Sequence, residues 1–160
     1  MSSVPHGEPV SQEQSGAVNI EAARLSDLPS LARVQKRAFS PRLAYTLPTL
    51  LLLRALPWVR ILVARRGDEV VGCIIGDRVI EGGRVINLAV APAARRLGIG
   101  TALLRAIEEA LPEGDMILMV QSENRAARAL YLGLGYVDDA ELGNYYGPGR
   151  PGIRMRKGRG

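Results

Sequence analysis

Apolar residues fall into alternating runs and helical stripes from about Val18 onward, and not before it. Residues 1–17 are Ser/Pro/Gln/Gly-rich, lack periodicity and read as a disordered tail. Val18 to Leu25 alternates loosely and predicts a first strand. Ser26 is placed to cap a helix in which Leu28, Leu31, Val34, Gln35 and Ala38 recur at helical spacing, and Ser40-Pro41 breaks it. Thr46 to Leu56 predicts a second, mostly apolar helix ended by Pro57. Its run Leu50 to Leu53 is expected in the core, with the lip of a binding site as the second choice.

A hairpin follows: Val59 to Arg65, a turn at Gly67-Asp68, and a return over Val70 to Ile75. Gly82-Gly83 predicts another turn, and Arg84 to Ala91 a strand stopped by Pro92. Gly98 to Leu111 is amphipathic, with Leu103, Leu104, Ile107 and Leu111 on one face and Arg105, Glu108 and Glu109 on another. Met116 to Val120 is a short apolar strand suited to a sheet interior. Asn124 to Leu134 predicts a helix ended by Gly135. Tyr136 to Leu142 and Ile153 to Lys157 are the last strands, joined by a Gly/Pro-rich loop. The order β-α-α-β-β-β-α-β-α-β-β is an α/β pattern on a mixed sheet, in one domain over residues 18–157 with a short basic tail at 158–160.

Composition narrows the chemistry. The chain has 160 residues, 47% hydrophobic and 23% charged, which is a globular composition with room for one core. A single cysteine, Cys73, excludes a disulfide framework and any zinc site built on several cysteines. The single histidine, His6, lies in the polar tail, which argues against a Ser-His-Asp or Cys-His hydrolase. There is no secretory signal pattern, and Leu47 to Leu56 is far short of a membrane span, so a soluble cytoplasmic protein is expected. The net charge of +5 is carried almost wholly by arginine, Lys36 and Lys157 being the only lysines. It suggests an anionic partner or a plain arginine bias.

The most informative stretch is Asn87-Leu88-Ala89-Val90 followed by Arg95-Arg96-Leu97-Gly98-Ile99-Gly100-Thr101. A strand runs into a loop, then two glycines, then a helix. Glycines let a backbone present successive N–H groups to a ligand, and the helix N-terminus adds its positive dipole end. That is an anion site suited to a pyrophosphate. It lacks the Lys-Ser/Thr of a P-loop and the third glycine of a dinucleotide fingerprint.

Arg95-x-x-Gly98-x-Gly100 resembles the acetyl-CoA signature of the GNAT superfamily of N-acetyltransferases. Asn87 to Val90 resembles that family's splayed strand. Asn124-Arg125-Ala126-Ala127-Arg128-Ala129-Leu130-Tyr131-Leu132-Gly133-Leu134-Gly135-Tyr136 resembles its second motif. Tyr145-Tyr146 is similar to a pair in the branch of ribosomal-protein alanine and archaeal protein N-terminal acetyltransferases. The resemblance implies a central, mostly antiparallel sheet splayed at the cofactor strand and flanked by about four helices. It implies acetyl-CoA as cosubstrate, no metal, and a protein or peptide N-terminus as acceptor.

By the same resemblance the backbone from Arg95 to Thr101 cradles the pyrophosphate, the backbone of Leu88, Ala89 and Val90 meets the pantetheine arm, and Asn124 lies beside it. Tyr131 is the candidate acid, giving a proton to the departing thiolate. Asn87, Tyr45, Tyr145 and Tyr146 are candidate substrate-side residues. Relatives often carry Glu where Met119 stands in Leu118-Met119-Val120-Gln121. Glu81 and Glu123 are the substitute bases to consider. An α-amine, with pKa ~7.7–8.0, needs less help from a base than a lysine amine at ~10.4, which favours N-termini as acceptors.

Two other readings stay open at this point. One is acetylation of a small amine or a lysine. The other is a non-catalytic acyl-CoA-binding or nucleic-acid-binding module, suggested by Met119 and by Arg154, Arg156, Lys157 and Arg159. The basic residues near the C-terminus also make ribosome association an expectation. They lack interleaved aromatics, so sequence-specific nucleic-acid binding is not expected.

Overall fold

A computed structural model describes residues 17–159. The tail expected over residues 1–17, with His6, therefore lies, Ala17 apart, outside the described residues. The strands are β1 (Val18–Ala22), β2 (Val59–Arg66), β3 (Glu69–Val79), β4 (Gly82–Val90), β5 (Asp115–Gln121), β6 (Val137–Leu142) and β7 (Gly152–Lys157). The helices are α1 (Leu28–Ala38), α2 (Leu47–Ala55), α3 (Ile99–Ala110) and α4 (Arg125–Gly133). The strands form one seven-stranded sheet in the order β1-β2-β3-β4-β5-β7-β6. Only the β4–β5 pair is parallel. The expected order of elements and the mixed, mostly antiparallel sheet are both present.

Each face of the sheet buries its own apolar cluster. Leu28, Leu31 and Val34 of α1 and Leu50 of α2 pack on Ile61, Val63, Cys73, Ile75 and Ala89. Leu103, Leu104 and Ile107 of α3 pack on Ile74, Val85, Met116, Leu118 and Met155, joined by Tyr131 and Tyr136. Leu28, Leu31, Val34 and Gln35 of the stripe read from α1 are buried as its spacing requires, and Ala38 at its end is half-buried. No helix among the described residues is long and apolar enough to cross a membrane.

β4 and β5 stay paired only from Gly82↔Asp115 to Val85↔Leu118. On its other side β4 carries an extra residue: Val85 faces Gly76 while Asn87 faces Ile75, so Ile86 is a bulge. Ile86 packs into the α1-side cluster and Asn87 bonds Gln35 of α1, so neighbouring side chains share one face. A bulge bends its strand and increases the twist. β4 leaves β5 at this point, and Met119 to Gln121 pair only with β7. The gap between Leu88–Val90 and Met119–Gln121 is the splay expected from the resemblance.

Several local expectations are corrected. The first strand stops at Ala22, and Ser26 lies in a single 3-10 turn, Leu25–Asp27. Asp27 takes the N-cap position of α1 without a side-chain cap bond; its carboxylate instead reaches back over the 3-10 turn and accepts the Arg24 N–H at 2.9 Å. Gly82-Gly83 is not a turn but the start of β4; the turn is Ile80-Glu81. Gly82 sits at φ +142°, and a Cβ there would lie 2.5 Å from the Asp115 carbonyl oxygen, so glycine is needed by the neighbouring strand. β3 runs on to Val79, past the expected Ile75. The leucine run is not all core: Leu50 is buried, whereas Leu51 and Leu52 are 47% and 63% exposed.

The basic residues near the C-terminus are engaged within the fold. Arg154 pairs with Asp139 at 2.7 Å, Arg156 with Asp115 at 3.0 Å and Lys157 with Glu108 at 3.0 Å. The Arg159 guanidinium donates to the carbonyls of Glu108, Pro112 and Gly114, satisfying acceptors left open where α3 ends.

Asp27 also ties β2 to α1 through the Arg65 guanidinium, at 3.0 Å to both carboxylate oxygens. Burial disfavours its charge, but the Arg24 N–H and Arg65 outweigh that and hold its pKa below the usual value. Stability from such a group is present above the unfolded carboxyl pKa, near ~3.9, and is lost as pH falls through the lower folded value. Asp27→Asn is expected to cost about 1–3 kcal/mol at neutral pH. It should also flatten the acid side of the stability–pH curve below about pH 4. Chemical denaturation at several pH values checks this; identical acid slopes for the two proteins would exclude Asp27 as the responsible group.

Candidate active site

On the α3 side of the gap the chain turns sharply before the helix. Arg96 and Gly98 both have positive φ, 66° and 76°. α3 has no side-chain N-cap, and Ala102 is the first residue whose N–H bonds back, to the Gly98 carbonyl at 3.0 Å. The N–H groups of Ile99, Gly100 and Thr101 thus have no acceptor within the helix. A Cβ on Gly98 would meet nothing within 4 Å, so the space over the turn is open. Gly100 serves packing: a Cβ there would lie 3.2 Å from Leu130 of α4. Arg96 and Leu97 are exposed, and Arg95 reaches the Val90 carbonyl at 3.4 Å. Open N–H groups, a helix dipole and two arginines together fit a pyrophosphate.

The gap presents backbone as well. Ala91 donates its N–H to Val71 on β3 at 2.8 Å. By the two-residue alternation of an antiparallel ladder, Ala89 also turns to β3, and Leu88 and Val90 turn their polar groups into the gap. Of the three residues named from sequence, Leu88 and Val90 are the ones whose N–H and C=O turn to the gap, the Val90 carbonyl already accepting from Arg95.

Tyr45, Tyr145 and Tyr146 gather at the other side of the gap, and Tyr131, from the α3-side cluster, approaches Tyr146. The rings of Tyr145 and Tyr146, in the β6–β7 loop, meet edge to face at 4.9 Å. A Cβ on Gly152 would lie 3.1 Å from both Tyr145 and Met119, so the glycine lets the loop close over β5. Tyr131 of α4 is buried and edge-on to Tyr136 at 5.9 Å. Burial, with Tyr146 nearby, pushes the Tyr131 phenol up to about 12. Burial, then Tyr145 and Tyr45, does the same for Tyr146, to about 12. Burial also raises Tyr45, in the loop before α2. The phenols of Tyr131, Tyr146 and Tyr45 are therefore protonated at neutral pH.

The remaining candidates are dispersed. Asn124 caps α4, accepting the Ala127 N–H at 3.1 Å. Asn87 is buried and its side-chain amide is exchanged with that of Gln35. Glu123 is exposed in the turn between β5 and α4, beside the gap. Glu81 lies in the turn before β4, roughly 20 Å of strand away from Leu88. The structure does not bring it to the gap.

Sequence reasoning missed two groups. Arg84, whose pairing neighbour on β5 is Ile117, holds Asp77 through Nε at 2.9 Å and Nη2 at 2.5 Å, a charged pair one residue before the splay. Gln121 ends β5 with an amide nitrogen closed to solvent and without a partner among the described residues. Only a polar residue inside an apolar run could have flagged either. Among the described residues no cluster of three or more metal-ligating side chains occurs.

Comparison with known proteins agrees with this layout. The family model for the acetyltransferase (GNAT) domain matches residues 57–138, just over half of the chain. An uncharacterised N-acetyltransferase of Methanocaldococcus jannaschii is 38% identical over 99 residues, 59% of this chain and 64% of that protein. N-alpha-acetyltransferase 30 of Xenopus laevis is 34% identical over 102 residues, 59% of this chain and 37% of that protein. The chain thus spans less than two thirds of either relative. The crystal structure of Ard1 from Thermoplasma volcanium superposes with a TM-score of 0.78 at 27% identity, over 88% of this chain and 97% of that one.

Gly98 supplies the direct check on the turn. Gly98→Glu sets a carboxylate in the open space over the N–H groups. A like charge at about 4 Å costs about 4 kcal/mol near a protein surface, so acetyl-CoA affinity should fall by about 100-fold or more. Gly98→Ala adds left-handed strain of about 1–2 kcal/mol but no charge, and should lower stability more than affinity. Titration calorimetry with acetyl-CoA measures both; undiminished binding by Gly98→Glu would remove the turn from the site.

Proposed function

The chain belongs to the GNAT acetyltransferase family, and from that premise we propose that it transfers an acetyl group from acetyl-CoA to the α-amino group of a protein or peptide N-terminus. The observation that carries the proposal is the two-sided gap: a turn with open N–H groups at one side, a tyrosine-lined lip at the other, and Tyr131 beside the lip at Tyr146. The sequence likeness to N-alpha-acetyltransferase 30 supports the choice of acceptor.

In this reading residues 95–101 hold the pyrophosphate, and the gap-facing groups of Leu88 and Val90 orient the pantetheine arm. The bound cosubstrate supplies a thioester whose carbonyl carbon accepts the amine. The chain's own work is placement and proton transfer. Tyr45, Tyr145 and Tyr146 line the path of the acceptor peptide. Tyr131, protonated because burial lifts its pKa to about 12, has a proton to give to the departing sulfur.

Met119, at the place where relatives often carry Glu, lies against Gly152 beneath Tyr145. Glu123 is the nearer of the two substitutes and would act through water. An α-amine with pKa ~7.7–8.0 is substantially neutral near pH 8 and needs little more. A lysine amine at ~10.4 is almost wholly protonated there, so the missing carboxylate favours N-termini over lysines.

The test is a peptide panel with free N-termini, the same peptides with blocked N-termini, and lysine-bearing controls. Acetylation of the free series alone is expected; acetylation that survives blocking would overturn the proposal. Tyr131→Phe should lower kcat by about 100-fold, the scale of a lost general acid, with acetyl-CoA affinity nearly unchanged. Wild-type kcat would exclude the phenol as the acid. The profile of kcat/KM against pH should rise through about 8 with the α-amine and show no tyrosine-dependent fall before about pH 11. An alkaline fall below pH ~10 that Tyr131→Phe abolishes would contradict the raised phenol.

A further inference from the structure

Gln35 lies on the core face of α1, shut off from solvent, yet its amide is fully used. Its Nε2 donates to Asn87 Oδ1 at 2.7 Å and approaches the Cys73 Sγ at 3.5 Å. Its Oε1 accepts Asn87 Nδ2 and the Tyr45 backbone N–H, both at 3.2 Å. The residues joined are far apart in the chain and different in kind. Asn87 follows the bulged Ile86 and precedes Leu88. Tyr45 ends the loop that leads into α2. The backbone N–H groups of Leu43 and Ala44 stay within that loop, both donating to the Ser40 carbonyl. The Tyr45–Gln35 bond, continued by Gln35–Asn87, is the polar tie from the loop's end to the sheet, beside the packing of Tyr45 on the α1-side cluster.

We infer that Gln35 is a positioning residue for the transfer reaction: one amide sets the acceptor-side lip at Tyr45 against the bulge that opens the gap. The assignment of that lip to the acceptor rests on the proposed N-terminal acetylation. An aliphatic residue at position 35 would fill the space and pack with Leu31 and Val34. It would leave the Asn87 amide and the Tyr45 N–H without partners, and the loop would lose its polar anchor to the strand that carries Leu88 while keeping the apolar packing of Tyr45. Asn87 then reads as the sheet's half of this clamp, with its side chain engaged by Gln35 and its neighbour Leu88 facing the gap.

Stability and positioning separate in three variants. Gln35→Leu should lower the thermal midpoint and raise the peptide KM by about 10-fold, the scale of one lost hydrogen bond, with acetyl-CoA affinity within about twofold. Adding Asn87→Leu removes both halves of the buried amide pair, so the midpoint should recover in part while the peptide KM stays high, because the Tyr45 N–H is still unpaired. Gln35→Glu keeps an acceptor for Tyr45 but loses the donor to Asn87; its midpoint should fall while its peptide KM stays near wild type. A peptide KM that follows the midpoint across the three variants would overturn the inference. Hydrogen exchange at the Tyr45 amide supplies a readout that needs no substrate: it should accelerate in both leucine variants and not in Gln35→Glu. Unchanged exchange in Gln35→Leu overturns the clamp itself. Failure of the wild type on every free N-terminus would instead overturn the acceptor assignment and leave the exchange result standing.

Discussion

One extra residue in β4 organises the molecule. Because Ile86 is inserted between Val85 and Asn87, β4 twists off β5 after four paired residues. A strand that leaves its neighbour in mid-sheet exposes backbone donors and acceptors that the fold does not satisfy. Leu88 and Val90 carry such groups, which in the proposed function a ligand with amide and carbonyl functions satisfies. The bulge also turns Ile86 into one apolar cluster and Asn87 onto Gln35, so the distortion is held from the α1 face. The gap is therefore a built feature, maintained by packing on one side and by a buried amide pair.

The two sides of the gap meet different physics. The α3 side offers fixed partial positive charge: open N–H groups, a helix dipole and Arg95 and Arg96. The tyrosine-lined side offers phenols raised by burial, able to donate but not to ionise near neutral pH. Charge is thus supplied where a phosphate would lie and withheld where a neutral amine must act. The arginine excess has a matching distribution. Arg65, Arg84, Arg128, Arg154 and Arg156 are bound to carboxylates, and Arg159 to three carbonyls. The arginines near the C-terminus, which in the sequence look like a surface for an acidic partner, largely close the sheet and cap α3.

Much of the fold was legible because its signals are local. The alternation of β2 and the stripes of α1 and α3 depend on residues within a few positions of one another, and each element lies where its periodicity put it. Gly98 and Asn124 were legible for the same reason: a left-handed turn and an N-cap are requirements of a single backbone position. The errors share the opposite cause. Gly82-Gly83 looks like a turn in isolation, but the requirement comes from Asp115 on the next strand. Leu51 and Leu52 are as apolar as Leu50, and only the placement of α2 on the sheet decides which of them is covered.

The sequence by itself determined the order of elements, the phosphate-type turn and the loss of a carboxylate at Met119. These follow from short-range stereochemistry and residue chemistry. Tertiary structure alone decided that Glu81 lies at the far end of β4, that Leu88 and Val90 face the gap, and that Gln35 joins Tyr45 to Asn87. Each of these depends on register or on a contact between distant segments. Register is set by the whole sheet closing on its two apolar clusters, and no window of sequence contains that sum.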